Sequence, residues 1–301
     1  MFWRLPLTPR TARPAPGSPL TLRTALIQGA VLLLFVGVLA FVGVQVAAGI
    51  GRNNINIDWS VLGRRSQFTD GTNLGSLLVG LWFTVRLALL SIVLALLLGT
   101  LVGVARLSSN VVVRSAAAFY VELFRNTPLL IQIFFWNFAL VAALPREVRE
   151  SLGTLLGTLF GTGPLLGEAV LASIGALSIY TSSYIAETVR AGIQSVPRGQ
   201  FEAAASLGLS STQLLTKIIL PQALRVVISP LGNQFLNLTK NSSLVSVIGV
   251  GDLFYSNIQI QNYEGQGFVA IVSVTFGYLL LSLAITAALG LVQRRLALPS
   301  R

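Results

Sequence analysis

Long apolar segments alternate with short polar ones along most of this 301-residue chain. Each segment has about 20 residues or more, the length that a helix needs to cross the hydrocarbon core of a bilayer. The segments cover residues 25–50, 76–105, 117–143, 169–193, 221–240 and 267–292. Because lipid offers no partner to a backbone amide, each segment is expected to be helical. The pattern predicts an all-α integral membrane protein with six transmembrane helices.

Composition supports a membrane location and argues against a nucleic-acid partner. Hydrophobic residues make up 53% of the chain and charged residues 10%, with a mean hydropathy of +0.77, whereas soluble domains carry about 25% charged residues. A formal charge of +11 would ordinarily suggest nucleic acid as a partner. Here the basic residues are scattered at the ends of apolar segments rather than clustered with aromatic ones, which is typical of topology signals.

The residue inventory excludes several kinds of chemistry. The chain has no cysteine and no histidine, so disulfides, thiolate nucleophiles and imidazole metal ligands are excluded, and no metal site is expected. Its two lysines, Lys217 and Lys240, lie in no G-x-x-x-x-G-K-[ST] loop, so the chain has no Walker A motif to hold the phosphates of ATP. We therefore expect the chain not to be an enzyme and to bind no cofactor itself.

The N-terminal residues and one internal segment do not fit the pattern of membrane-spanning segments. Residues 1–23 are rich in arginine and proline and are predicted to be a basic cytoplasmic tail without regular helix, because proline removes backbone donors. The apolar segment that follows is longer than the core of a cleaved signal peptide, so we interpret it as a retained helix. Residues 241–266 contain an apolar stretch too short to cross, which leaves open whether it enters the membrane and returns.

The basic residues also predict the orientation. If six helices alternate in direction, one side of the membrane carries Arg4, Arg10, Arg13, Arg23, Arg106, Arg114, Arg190, Arg198, Lys217, Arg225, Arg294, Arg295 and Arg301. The other side carries fewer basic residues, diluted by acidic ones. Since cytoplasmic loops carry the excess of lysine and arginine, both termini and the loop at residues 195–221 are predicted to be cytoplasmic.

That cytoplasmic loop carries the most informative motif. It contains Glu202-Ala203-Ala204, then Gly208, and ends in Leu220-Pro221. This spacing resembles the EAA loop with which permease subunits of binding-protein-dependent ABC importers contact their ATPase. The flanking sequences, residues 184–197 and 221–223, are similar to those of the polar amino-acid uptake family, which includes histidine, glutamine and general L-amino-acid permeases.

The resemblance covers roughly residues 75–295 and implies a domain organisation. It implies the five-helix core of a type I ABC-importer permease, residues 75–295, with a coupling loop at 195–221. Residues 24–52 would then be an extra N-terminal transmembrane helix, followed by a periplasmic loop at 53–74, and residues 296–301 a cytoplasmic tail.

The resemblance also implies partners and a location. The partners would be a cytosolic ABC ATPase dimer that binds ATP and Mg²⁺, a second permease subunit that is the same chain or a sister, a periplasmic amino-acid-binding protein, and membrane lipid. The location would be the bacterial inner membrane. The alternative is an ion-coupled secondary amino-acid carrier, but such carriers usually hold paired repeats in one chain, and no internal repeat is visible here.

Local chemistry suggests how the loop works. Residues 200–209 are predicted to form a short helix that buries Phe201, Ala204, Ala205 and Leu207 against a partner, and Glu202 favours the helix dipole near the N-terminus. Gly208 permits the turn that ends the helix, and Leu220-Pro221 are predicted to start the next span. We assign ATPase coupling to Glu202, Ala203, Ala204, Gly208, Leu220 and Pro221. The alternative is a merely amphipathic connection.

Charged residues inside the spans cost at least about 2.5–3.5 kcal/mol each, so they are expected to face protein or water. Arg86 fits either a pairing between helices or an anion-attracting role. Glu122 and Arg125 are three positions apart, which favours a local ion pair. They also belong to a segment that resembles the family signature E-x-x-R-x-x-P-L-L, in which Pro128 suggests a kink or hinge.

Uncharged polar residues in the spans are candidates for a translocation path. Asn233, Asn237 and Lys240 recur at i, i+4 and i+7 and predict one polar stripe, although hydrogen bonds between helices would explain the stripe equally well. The segment that starts at Lys240 resembles the family's K-(D/N)-(S/T)-S-L, here with Asn241 and Ser242 in place of the commoner Asp and Thr. The full candidate set is Arg86, Gln132, Trp136, Asn137, Thr181, Tyr184, Asn233, Asn237 and Lys240, and Glu187 on the fourth span is a further candidate.

Overall fold

The structure, a computed structural model, describes residues 22–53, 57–140, 143–162 and 164–296. Its α-helices are α1 (Leu22–Arg52), α2 (Asn73–Ala105), α3 (Val111–Arg125), α4 (Leu129–Phe135), α5 (Arg146–Phe160), α6 (Pro164–Gln194), α7 (Arg198–Ser206), α8 (Ser211–Gln213), α9 (Leu220–Asn241), α10 (Leu253–Glu264) and α11 (Gly267–Leu296). Most of the predicted tails, 1–23 and 296–301, lie outside the described residues. Over the described residues there is no β-strand, and the expected all-α fold is confirmed.

Five described segments are long and apolar enough to cross a membrane: Arg23–Arg52, Asn73–Ala105, Leu166–Gln194, Leu214–Ile248 and Gly267–Arg295. They coincide with five of the six predicted spans. The chain divides into two compact units, residues 1–56 and 57–301. The first contains α1, a 31-residue helix that ends with Arg52 in its last turn.

The sixth predicted span, residues 117–143, is not one uninterrupted helix. It divides into α3 and α4, and α4 continues as a π-helix over Trp136–Leu140. The break lies at Pro128, which has an extended backbone with ψ 134° and no N–H to donate. The side-chain amide of Gln132 donates to the carbonyls of Phe124 (2.9 Å) and Thr127 (3.1 Å), and so replaces hydrogen bonds that the break removes.

Helix α6 lies at the centre of the second unit and packs most extensively along α2. The two helices approach closely because small residues face the contact. A Cβ atom added to Gly99 would lie 2.7 Å from the side chain of Ile185. Ala176, Leu177 and Ile185 of α6 are fully buried, as expected for a helix surrounded by other helices.

Two segments that are not spans complete the core. Helix α5 was not predicted; it packs on α6 and buries Leu156 and Phe160. The ambiguous segment 241–266 forms a 3₁₀-helix over Ser242–Ile248, followed by α10. Val245 and Val250 in this segment are buried in the same cluster as α5 and α6, so its irregular backbone lies inside protein, where a membrane protein tolerates it.

Candidate coupling loop and translocation face

The short helix predicted in the loop at residues 195–221 exists as α7, which follows Pro197 and begins at Arg198. One of its faces packs on its own chain. Phe201 contacts a buried cluster formed by Val196, Ile219 and Ala223, and Ala204 is 3% exposed. The expectation that Phe201 and Ala204 are free to bury against a partner is therefore wrong, because these apolar residues already anchor the loop to the spans.

The opposite face of α7 is open. Glu202 and Ala203 are exposed, and Leu207 is 79% exposed. Gly208 has φ +70°, in the left-handed region that glycine adopts without steric cost. The N–H of Leu209 donates to the carbonyl of Ala204 (3.1 Å) across this turn. The exposed surface of this short helix thus includes the carboxylate of Glu202 and the methyl group of Ala203, with Leu207 directly after the helix.

The next span begins earlier than predicted. Helix α8 is one turn, and a π-helix over Leu214–Ile219 leads directly into α9. Leu220 and Pro221 thus lie within a continuous helical segment and do not start it. Within this segment the side-chain amide of Gln222 donates to the carbonyl of Ile218 (2.9 Å).

A polar cavity of about 310 Å³ lies between α6 and α9. Three path candidates, Thr181, Tyr184 and Asn237, line it together. Sequence reasoning missed three more of its lining residues, namely Tyr180, Gln234 and Asn241. The missed signal is the spacing of 234, 237 and 241 at i, i+3 and i+7, which places three amides on one helix face. We call this cavity the chamber.

The predicted stripe on α9 does not line one cavity. Asn233 faces a separate cavity of about 100 Å³ between α9 and α11, whose lining includes Thr286 and Gln293. Asn237 faces the chamber, and Lys240 is exposed near the end of the helix. The side chains of the stripe line different cavities because positions 233 and 237 differ by about 40° around an α-helix and therefore face different neighbouring helices.

A second cavity of about 320 Å³, which we call the vestibule, lies nearer the coupling loop. Charged residues Arg125 and Glu187 line it. The guanidinium of Arg125 lies 5.0 Å from the ring centre of Tyr184. Within the described residues no ion pair joins Glu122 to Arg125; Glu122 instead accepts from the side chain of Asn126 (3.1 Å). The expected local ion pair is therefore wrong, because Arg125 turns towards α6.

Glu187 connects the ends of two helices. Its carboxylate forms ion pairs with Arg106, which caps the C-terminus of α2, and with Arg190 one turn further along α6. Arg190 also donates to the side-chain oxygen of Gln194 (2.7 Å). The three charged side chains are only 16–29% exposed, so this cluster fixes the α2 terminus against α6 beside the vestibule.

The remaining path candidates have partners away from the chamber. Arg86 donates to the carbonyls of Leu159 (2.5 Å) and Phe160 (3.3 Å) at the end of α5. Of the two roles expected for Arg86, the contacts thus match a pairing between helices. Gln132 is 4% exposed and holds the α3–α4 break. Trp136 packs beside Phe124, and Asn137 lies half-buried in the π-helix.

A polar cluster lies at the opposite end from the coupling loop. Arg64 pairs with Asp58 and with Glu264 (3.5 Å), and the amide of Asn73 donates to Glu264 (3.2 Å). Hydrogen bonds from Ser60 hold the pKa of Asp58 below its usual range, and the charge of Arg64 lowers it further. These contacts connect the loop before α2 to the turn between α10 and α11.

Comparison with known proteins identifies the family to which this chain belongs. Residues 91–298 match the family model described as "binding-protein-dependent transport system inner membrane component". The chain belongs to this permease family. It is therefore a multi-pass inner-membrane protein, and the secondary-carrier alternative is set aside.

The names of individual relatives agree with this family assignment. A putative amino-acid ABC transporter permease protein of Escherichia coli is 31% identical over 93% of this chain and 96% of its own length. A glutamate/aspartate import permease protein of Escherichia coli is 31% identical over 82% of this chain and 97% of its own. A glutamate transport system permease protein of Corynebacterium glutamicum is 37% identical over 74% and 94%.

A solved structure supports the fold. The permease resembles a chain in the crystal structure of an amino acid ABC transporter with histidines, with a TM-score of 0.61 and 31% identity over 74% of this chain and 94% of that chain. A methionine ABC transporter gives a TM-score of 0.57 at 20% identity, which concerns the fold alone.

Proposed function

We propose that this permease is the membrane subunit of an ATP-driven importer that carries amino acids into the cytoplasm. The relatives named above support amino acids as the substrate class, and the chamber supplies amides and hydroxyls suited to a zwitterion. Its termini and α7 face the cytoplasm in this proposal, as the distribution of arginine and lysine indicates. A periplasmic binding protein delivers the substrate.

The observation that carries the proposal is the geometry of α7. Its inner face is anchored on the spans, and its outer face presents Glu202, Ala203 and Leu207 beside the left-handed turn at Gly208. A partner that closes on ATP and grips this helix would move α6 and α9 with it, because Phe201 packs against the cluster to which α6 contributes Ile193 and α9 contributes Ala223. ATP and Mg²⁺ are bound by that partner, a cytosolic ABC ATPase dimer.

Both cavities are bordered by residues that are exposed in this chain, Asn237 in the chamber and Arg125 and Pro230 in the vestibule. We infer that a second permease subunit, another copy or a sister chain, covers these exposed residues and completes the path. Thr181, Tyr184 and Asn237 would then contact the substrate, together with Tyr180, Gln234 and Asn241. The break at Pro128 would serve as a hinge that lets α3 move relative to α6.

Purification of the tagged permease with the products of neighbouring genes tests the docking surface. We expect a Walker-motif ATPase to co-purify with wild type and to be lost when Glu202→Arg and Gly208→Val are combined. Gly199→Ala is the matched control, since Gly199 also lies in this loop and an added Cβ there meets nothing within 4 Å. Equal recovery of the ATPase with both variants would refute the docking surface.

Uptake completes the test. Proteoliposomes that contain the full complex, supplied with binding protein and ATP, should accumulate labelled amino acids. Accumulation that follows an imposed ion gradient and ignores ATP would refute the ATP-driven mechanism.

A further inference from the structure

The chamber and the vestibule share a wall. Of the residues that line the two cavities, Tyr184 and Gln234 alone are common to both. Tyr184 comes from α6 and Gln234 from α9, which run in opposite directions along the cavities. The two side chains therefore lie at the boundary between two spaces of about 310 and 320 Å³.

The order of the cavities along the membrane follows from the helices. The chamber lies towards the earlier residues of α6 and the later ones of α9, including Thr181 and Asn241. The vestibule lies towards Gly192 and Val226, next to the coupling loop. Tyr184 is ten residues before the end of α6, which places this boundary about 15 Å from that end.

The ring of Tyr184 is held on two sides. Its hydroxyl lies 3.1 Å from the hydroxyl of Tyr180, and their ring centres are 5.1 Å apart. On another side the guanidinium of Arg125, from α3, lies 5.0 Å from its ring centre. A cation at this distance from an aromatic face is attracted to it. Arg125 forms no ion pair within the described residues, so the ring is its most evident partner.

The boundary also separates two electrostatic environments. The lining of the chamber is polar but uncharged, whereas the vestibule contains Arg125 and Glu187. Arg125 is the last residue of α3, directly before the break at Pro128. A movement of α3 at this break would carry the guanidinium away from the ring and remove one of the two contacts that hold it.

We propose that Tyr184, facing Gln234, is the gate between the chamber and the vestibule, and that Arg125 is the positioning residue that keeps the gate closed. The proposal rests on the proposed function, since it assigns a gate to the proposed path. A tyrosine that only filled the core would border one packed region, whereas Tyr184 borders two cavities.

The absence of cysteine from the chain permits a direct test. Single cysteines are introduced as Asn237→Cys in the chamber and Thr188→Cys in the vestibule. The complete complex in inside-out membrane vesicles is then treated with a membrane-impermeant thiol reagent. Thr188→Cys should react about tenfold faster than Asn237→Cys if the gate is open one tenth of the time, because reactivity scales with the open fraction.

Gate variants are then combined with each cysteine. Tyr184→Ala should raise the rate at Asn237→Cys to that at Thr188→Cys, and Arg125→Gln should raise it in part. Tyr184→Phe, which keeps the ring over Arg125, should leave the ratio of the two rates near that of wild type. If Tyr184 had only a structural role, its substitution would change the reaction rates at both cysteines together. A change in the ratio of the two rates is therefore specific to the gate.

Three results would overturn the gate: equal rates at both positions in the unmodified background, an unchanged ratio in Tyr184→Ala, or no reaction at Asn237→Cys in any variant. Failure of the proposed function would be detected by separate experiments: no ATPase would co-purify with the permease, or proteoliposomes would show no ATP-dependent uptake. An intact importer with an unchanged ratio would refute the gate alone.

Discussion

The cluster around Glu187 makes the most quantitative prediction. Its ion pairs with Arg106 and Arg190 are neither exposed nor fully buried, with side chains 16–29% exposed. Exposed pairs contribute about 0.2–1 kcal/mol, and removal of one partner from a buried pair costs about 3–5 kcal/mol. For this intermediate burial we expect Glu187→Gln to lower the free energy of unfolding by about 2 kcal/mol.

The pairwise part of this loss is measured by a double-mutant cycle. Glu187→Gln, Arg106→Gln and the double variant are unfolded by titration with a denaturing detergent, and the coupling between the two positions should be about 1 kcal/mol. The control is the pair Arg146–Glu150, whose side chains are 82% and 55% exposed. Its coupling should be smaller, because solvent screens an exposed pair. A coupling at Glu187 no larger than in this control would refute the reasoning.

Three further substitutions test the packing of the spans, each measured as a change in the free energy of unfolding. Arg86→Leu should cost about 2 kcal/mol, because charged hydrogen bonds to the carbonyl end of α5 are lost; no loss would show that these contacts are dispensable. Gly80→Ala should cost about 1–3 kcal/mol, since the added Cβ would lie 2.8 Å from the carbonyl oxygen of Asp252. The control is Gly75→Ala, which should be tolerated because the atom nearest to its added Cβ lies 3.5 Å away. Gln132→Leu should cost about 1–3 kcal/mol by leaving carbonyls at the α3–α4 break unsatisfied, and an unchanged value would contradict that role.

Membership of the membrane class could be read from the sequence because it depends on composition and on the lengths of apolar segments. Four of the six spans were placed within a few residues for the same reason, whereas the segment Leu214–Ile248 extends seven residues before and eight residues after the predicted 221–240. The prediction for the span at residues 117–143 failed at Pro128. The sequence stays hydrophobic there, but proline interrupts the backbone hydrogen bonds of the helix. Helix α5 was missed because a 15-residue helix that packs against α6 gives no spanning signal.

The candidate site was only partly predictable. The position of α7 and the turn at Gly208 follow from local residue types, and both were anticipated. Which face of α7 is exposed was not, because Phe201 and Ala204 could equally bury against a partner or against their own spans. The contacts with Ile219 and Ala223, residues distant in the sequence, decide that question.

The sequence by itself thus determined that this protein is a helical membrane permease and predicted a coupling loop between two spans, since spans, basic flanks and turn residues act within a few positions of one another. Only the tertiary structure decided which polar residues meet. The relative rotation of α6 and α9 places Gln234 and Asn241 beside Tyr184 and directs Asn233 elsewhere. That rotation is set by close packing between distant segments, and small differences in packing select which helix face lines a cavity.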